Sequence, residues 1–139
     1  MSRSSPKFIV PSGIAPPASN YSHGAVVSEA DRRLVIAGQV GLNPDGSLAG
    51  DMAAQMERCW LNIFAILESE GMTKRDLIKV VVYVTRDDAT ALYREIRDRL
   101  LEGHAPAATY IVVAGLASPD FLVEIEAEAV APARRGHER

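Results

Sequence analysis

The stretch DLIKVVVYVTRDD, residues 76–88, contains the strand that decides the fold. Within it, Val80–Val84 form a nearly continuous apolar run of mostly β-branched side chains. Such runs are typical of strands that are buried on both faces, because a strand with one solvated face alternates apolar and polar residues. We therefore expect both faces of Val80–Val84 to be covered.

Amphipathic helices precede and follow this strand. In the first, apolar residues recur at helical spacing after a suitable N-cap, Asp51, and Gly71 is a natural stop. In the second, an apolar stripe runs from Ala89 to Leu100, and Gly103 ends the helix. The apolar positions of the first helix are Met52, Met56, Trp60, Ile63 and Leu67. We expect both helices to be crossovers on one face of a sheet.

Further apolar runs predict the remaining strands. They are Phe8–Val10, Ala25–Val27, Leu34–Ala37, Thr109–Val113 and Phe121–Val130. The polar segment SEADRR suits a hairpin between the second and third strands. The order β-β-β-α-β-α-β-β predicts one α+β domain over residues 1–139, with a mixed six-stranded sheet and two helices on one face. We expect an irregular arm with a short edge strand at residues 1–20 and a polar tail at residues 132–139.

The number of helices has a consequence for assembly. Two helices cover one face of such a sheet and leave the other face open. Burial of Val80–Val84 on both sides then requires self-association, sheet against sheet. The sequence therefore predicts a homo-oligomer.

Composition excludes several function classes. The formal net charge of −3 argues against a nucleic-acid partner held by a broad basic field. The single cysteine, Cys59, forms no intramolecular disulfide and is expected to be a small buried hydrophobe. His23, His104 and His137 are scattered, so we expect no metal site, and no nucleotide-cofactor motif is present. No apolar run is long enough to span a bilayer and no signal peptide is evident, so we expect a cytoplasmic protein.

Three features offer polar chemistry, each with a structural alternative. Glu124, Glu126 and Glu128 share one face of the last strand, where one could hold a water as a general base or all could be solvated. Gly38 marks a bulge or a close backbone approach, and the Gln39 amide binds a ligand or caps a backbone group. Tyr21, in the arm, closes over a pocket or anchors at the surface.

Several segments together resemble the Rid family (YjgF/RidA, reactive intermediate deaminases, also described as endoribonuclease L-PSP). The matching segments are GIAPPASNYSHGAVV, LVIAGQVGLNPDGSL, QMERCWLNIFAILESEG, DLIKVVVYVTRDDA, the PAAT corner and GLASPDFLVEIEAEAVA. The resemblance implies a chorismate-mutase-like α+β fold and a homotrimer with a barrel-like core and ligand clefts between subunits. It also implies hydrolysis of enamines or imines, such as 2-aminoacrylate, to a 2-keto acid and ammonia without a cofactor.

The same resemblance assigns candidate site residues. The family's cleft tyrosine falls on Tyr21, and its water-positioning glutamate falls on Glu124. Its Ser-Gly-Gln segment falls on Ala37, Gly38 and Gln39. Its cleft arginine falls on Ala108, and the residue two positions later, which is often small in the family, is Tyr110. The serine and the arginine are therefore missing from this chain. The arginine binds the substrate carboxylate in the family, and alanine offers neither charge nor donor.

Replacement of this arginine by Ala108 leaves three hypotheses open. The chain is a Rid-type protein that binds or processes a different small metabolite, an imine deaminase with a relocated cation, or a non-catalytic ligand-binding or regulatory trimer. A relocated cation could come from Arg86, Arg94, Arg97 or Arg99, although we expect these side chains on solvated surface. Loss of the carboxylate partner argues against the family's 2-imino acid deamination.

Overall fold

The computed structural model describes residues 5–29 and 31–133. A 3₁₀ turn at Lys74–Asp76 is added to the expected order of strands and helices. The elements are β1 (Lys7–Ile9), β2 (Gly24–Val26), β3 (Arg32–Val40), α1 (Met52–Ser69), β4 (Leu77–Val84), α2 (Thr90–Leu101), β5 (Ala107–Val112) and β6 (Val123–Ala131). The predicted order and the α+β class are confirmed, whereas residues 134–139 of the predicted tail lie outside the described residues.

The strands form two sheets rather than the single six-stranded sheet that we expected. A four-stranded mixed sheet has the order β3-β6-β4-β5, and β1 pairs with β2 alone. An isolated bridge between Ser22 and Ala107 connects the arm to β5, but the chain then leaves β5 to pair with β1. The expected hairpin between β2 and β3 is also wrong, because β3 takes β6 as its partner.

Both helices begin and end where the sequence indicates. At the start of α1, Asp51 Oδ1 accepts a hydrogen bond from Ala54 N at 2.9 Å, and Gly71 follows the helix with φ of +69°. Gly103 follows α2, also with positive φ. Neither helix in the described part of the chain is long and apolar enough to cross a membrane.

Strand β4 is buried on one face only, so the expected burial of Val80–Val84 on both faces is not seen in the single chain. Val80, Val82 and Val84 are at most 1% exposed beneath the helices, whereas Val81 and Tyr83 are half-buried on the opposite side. A single chain leaves this side uncovered, which is the premise of the predicted self-association. We call the side away from the helices the open face, and self-association through it stays a prediction.

Candidate functional site

A cavity of about 310 Å³ lies between α2, the edge strand β5 and the N-terminal arm. In the parallel ladder, Ala108 pairs with Val80 and Tyr110 with Val82. Because these valines face the helices, Ala108 and Tyr110 face them too and line the cavity. Tyr21 lines it from the arm. Three of the residues predicted to bind a ligand therefore lie around one cavity.

The arm is fixed at this position by hydrogen bonds to the start of β5. Ser22 Oγ donates to the Ala105 carbonyl at 2.6 Å, and Ser22 N donates to the Pro106 carbonyl at 3.2 Å. The neighbouring Tyr21 ring packs edge-on against His23, with 6.2 Å between ring centroids. These contacts hold Tyr21 at the cavity while its side chain stays partly exposed.

Arg97 reaches the same cavity from α2 and is only 4% exposed. Its Nε donates to Asp98 Oδ1 at 2.9 Å, and its Nη1 donates to Ser19 Oγ at 3.4 Å. Nη2 lies 2.9 Å from the same Asp98 oxygen without the alignment of a hydrogen bond, and it has no hydrogen-bond partner among the described residues. Because buried polar groups are normally hydrogen-bonded, this unpartnered amino group is a candidate donor to a ligand.

The expectation that the arginines on and before α2 lie on solvated surface is wrong for Arg97. Arg86 and Arg99 are more than half exposed and pair with exposed acidic side chains, as expected. Arg94 is exposed but also lines the cavity. Arg97 is four residues after the buried Tyr93 and shares its face of the helix, and that face is turned towards β5.

Two tyrosines meet in the cavity wall. The rings of Tyr93 and Tyr110 are 5.2 Å apart between centroids. Both hydroxyl oxygens are buried and have no hydrogen-bond partner in the described part of the chain. Burial raises the pKa of the Tyr93 hydroxyl, so this phenol keeps its proton. Both tyrosines thus belong to the lining of the cavity, together with Arg97.

Glu124 lies on the open face, on the other side of the sheet from the cavity, since its neighbours Val123 and Ile125 are fully buried beneath the helices. The other two glutamates of β6 are engaged by neighbouring side chains. Glu126 accepts a hydrogen bond from Tyr83 and Glu128 pairs with an arginine of β3. Glu124 makes no hydrogen bond within the described residues, so it is the carboxylate of this row that is free to hold a water.

Strand β3 approaches Glu124 through a glycine. The ladder with β6 shifts register between Ile36 and Gln39, which agrees with a bulge, one of the two alternatives for Gly38. A Cβ atom at Gly38 would lie 2.0 Å from Glu124 Oε2, so the close approach needs glycine. Gln39 Nε2 donates to the Ala37 carbonyl at 3.0 Å, which is the backbone-capping alternative. Ala37 itself is exposed.

Comparisons with known proteins decide the family. A family model described as endoribonuclease L-PSP matches residues 13–131. This chain belongs to the Rid family. A Rid-family protein of Yersinia pestis, of unknown function, has a similar structure, with a TM-score of 0.80 and 32% identity over 90% of this chain and 98% of that one. The 2-iminobutanoate/2-iminopropanoate deaminase of Escherichia coli is 32% identical over 70% of this chain and 78% of its own length. A RutC family protein of Pyrococcus horikoshii is 35% identical over 68% and 75%.

The candidate residues of this Rid chain fall into two groups that one subunit does not bring together. Tyr21, Ala108 and Tyr110 surround the cavity on the helix side of the sheet. Gly38 and Glu124 lie against each other on the open face. A site that used both groups would therefore take one of them from a second copy.

Two buried titratable groups have structural roles. Burial raises the pKa of the Cys59 thiol to about 12, so it is the inert small hydrophobe that the sequence predicts.

His104 Nε2 lies 2.8 Å from the Leu77 carbonyl, and burial lowers the pKa of this imidazole. Its ring also packs edge-on against Phe8, which ties β1 to the start of β5.

Proposed function

We propose that this chain hydrolyses the C=N bond of small imine carboxylates, including those formed by tautomerisation of enamine carboxylates, and that Arg97 binds the substrate carboxylate in place of the missing strand arginine. The observation that carries the proposal is the buried Arg97 guanidinium at the cavity that Ala108 lines. Similarity to the imine deaminase of Escherichia coli supports the same reaction class. The relocated cation is thus preferred over the loss of carboxylate binding.

The surroundings of Arg97 favour an anionic ligand. An arginine–carboxylate pair is strong where water is excluded, since charge-assisted hydrogen bonds gain from the low local dielectric. The partner that Arg97 already has, Asp98, is half exposed, so solvent weakens that pair. A substrate carboxylate in the cavity would add the hydrogen bonds that Nη2 lacks among the described residues.

The reaction needs a water-activating group that the cavity does not supply. Water adds to the C=N carbon, the C–N bond breaks after proton transfer to nitrogen, and a 2-keto acid and ammonia leave. Glu124 suits the role of general base because its carboxylate makes no hydrogen bond within the described residues. Since it lies on the open face, we propose that it comes from a neighbouring copy in a homotrimer with clefts between subunits.

The test uses an amino-acid oxidase to generate 2-imino acids, with semicarbazide trapping the imine that remains. The protein should accelerate imine loss, and Arg97→Met should lower kcat/KM by about 100-fold or more, the cost expected for a lost charged hydrogen-bond pair. Arg99→Met is the matched control, because Arg99 is on the same helix and pairs with the exposed Glu57. Absence of acceleration by the unaltered protein would exclude the deaminase proposal.

A second candidate function is binding of a small metabolite without chemistry. The observation in its favour is the separation of Glu124 from the cavity in one chain. Under this alternative, Glu124→Gln would leave ligand affinity unchanged and no imine hydrolysis would be measured with any variant. A deaminase instead loses turnover in Glu124→Gln while it still binds the 2-keto acid product.

A further inference from the structure

The cavity has more hydrogen-bond donors than one substrate carboxylate requires. Beside Arg97, it is lined by Tyr93 and Tyr110, whose hydroxyls are buried and unpartnered among the described residues. Tyr93 is only 3% exposed. The exposed Arg94 lines the cavity as well and adds a second positive charge. Two arginine and two tyrosine side chains thus line a volume of about 310 Å³.

We infer that the cavity selects dicarboxylate substrates, 2-imino acids whose side chain ends in a second carboxylate, and that the Tyr93 and Tyr110 hydroxyls donate to that distal group. The inference rests on the proposed function, since it names the substrate class of the same site. It assigns to the two tyrosines a role in specificity that is separate from carboxylate binding by Arg97.

The chemistry of the phenols supports an acceptor-bearing ligand. A buried hydroxyl that has no partner is costly, and a ligand that ends in a methyl group would leave both hydroxyls unpaired. Sites built to hydrogen-bond a ligand group discriminate strongly against analogues that lack it. Tyr93 keeps its proton because burial raises its pKa, so it is a donor to an oxygen anion.

Charge and size point to a small dianion rather than a neutral ligand. Of the charged side chains that line the cavity, both are arginines, and Asp98 pairs with Arg97 from outside the lining. The volume lies near the lower end of the range of about 300–1,000 Å³ found for small-molecule sites. A dicarboxylate of about five carbons fits that size, with Arg94 and Arg97 as the cations, the second of which already shares its charge with Asp98.

The experiment measures binding of stable product analogues by isothermal titration calorimetry. The probes are 2-oxoglutarate and 2-oxopentanoate, which have the same chain length and differ in the terminal carboxylate. The unaltered protein should bind 2-oxoglutarate at least about tenfold more tightly. Tyr93→Phe and Tyr110→Phe should each remove most of this preference without weakening the binding of 2-oxopentanoate. Tyr83→Phe, on the open face, is the matched control and should keep the preference.

Equal affinity for the two probes would overturn the inference, since it would mean that water satisfies the phenols. A preference that survives both phenylalanine variants would also overturn it. Binding of neither probe would overturn it as well. Folding is checked by thermal unfolding, where the phenylalanine variants should be as stable as the unaltered protein or more so, because they remove an unpaired buried hydroxyl.

The proposed hydrolysis and this specificity can fail separately. Calorimetry needs no turnover, so a preference for 2-oxoglutarate in a protein that hydrolyses no imine would support the inference and exclude the deaminase. Hydrolysis of monocarboxylate and dicarboxylate imines with equal kcat/KM would support the deaminase and exclude the inference.

Discussion

The contact between Gly38 and Glu124 allows the role of the carboxylate to be tested without changing the carboxylate. In Gly38→Ala, the new Cβ would lie 2.0 Å from Glu124 Oε2 and 2.8 Å from Cδ. Ordinary contact begins at 3.4 Å, so the oxygen must move by at least 1.4 Å. The backbone of Gly38 does not have the positive φ that disfavours alanine, and the moving atoms end a half-exposed side chain. The substitution therefore displaces the carboxylate and leaves the fold intact.

The size of the effect follows from that displacement. Misplacement of a reacting group by about 1 Å costs on the order of 100-fold in rate. We expect Gly38→Ala to lower kcat for imine hydrolysis by about 100-fold, with little change in KM because substrate carboxylate binding is assigned to Arg97. The rate is measured by semicarbazide trapping, and the unfolding temperature should stay within about 2 °C of the unaltered protein.

Gly50→Ala is the control for this experiment, because a Cβ at Gly50 meets no atom within 4 Å. It should keep full activity and stability. Full activity in Gly38→Ala would show that the position of the Glu124 carboxylate does not matter, and the reasoning that makes it the base would be refuted. Loss of activity together with a large fall in unfolding temperature would mean that the substitution acts through the fold.

Three further predictions concern other parts of the molecule. A Cβ at Gly41 would lie 2.8 Å from the Gln55 backbone, so Gly41→Ala should lower the free energy of unfolding by about 1–3 kcal/mol in a denaturant titration; unchanged stability would contradict this packing. If each site combines two copies, Arg97→Met and Glu124→Gln chains should regain activity when they are unfolded and refolded together. Either variant alone should keep its lowered activity, and sites built from one chain would give no recovery. Because burial lowers the pKa of His104 below its ordinary 6.5, the unfolded state binds more protons, and stability should fall as pH drops through about 6.5. Between pH 7.5 and 5.5, the denaturation midpoint of His104→Gln should therefore fall less than that of the unaltered protein. An equal fall in both proteins would contradict this role of His104.

Local patterns in the sequence were sufficient for most of the fold. Apolar spacing and an aspartate N-cap predict α1, and a glycine predicts the bulge in β3, because these signals act within a few residues of chain. The pairing of β1 with β2 was missed, since a three-residue strand carries too little pattern to select its partner. Burial of the second face of Val80–Val84 depends on the predicted self-association, which one chain does not test.

Only part of the candidate site could be predicted, because local patterns do not show how distant elements pack against one another. The absence of a cation at Ala108 can be read from the sequence, but its replacement by Arg97 depends on how α2 packs over β5. A long charged side chain beside an apolar stripe is usually solvated, and only tertiary packing buries this one. The signal that could have indicated it is its spacing of four residues from Tyr93 on the same helix face.

The most direct test of the account moves the charge back from the helix to the strand. Arg97→Met removes the cation, and Ala108→Arg in the same chain restores one to the same cavity from β5. We predict that Arg97→Met lowers kcat/KM for imine hydrolysis by about 100-fold or more. The double variant should have a kcat/KM at least about tenfold higher than that of Arg97→Met. If Arg97→Met hydrolyses 2-imino acids as fast as the unaltered protein, the substrate carboxylate is not bound by Arg97 and the central claim is wrong.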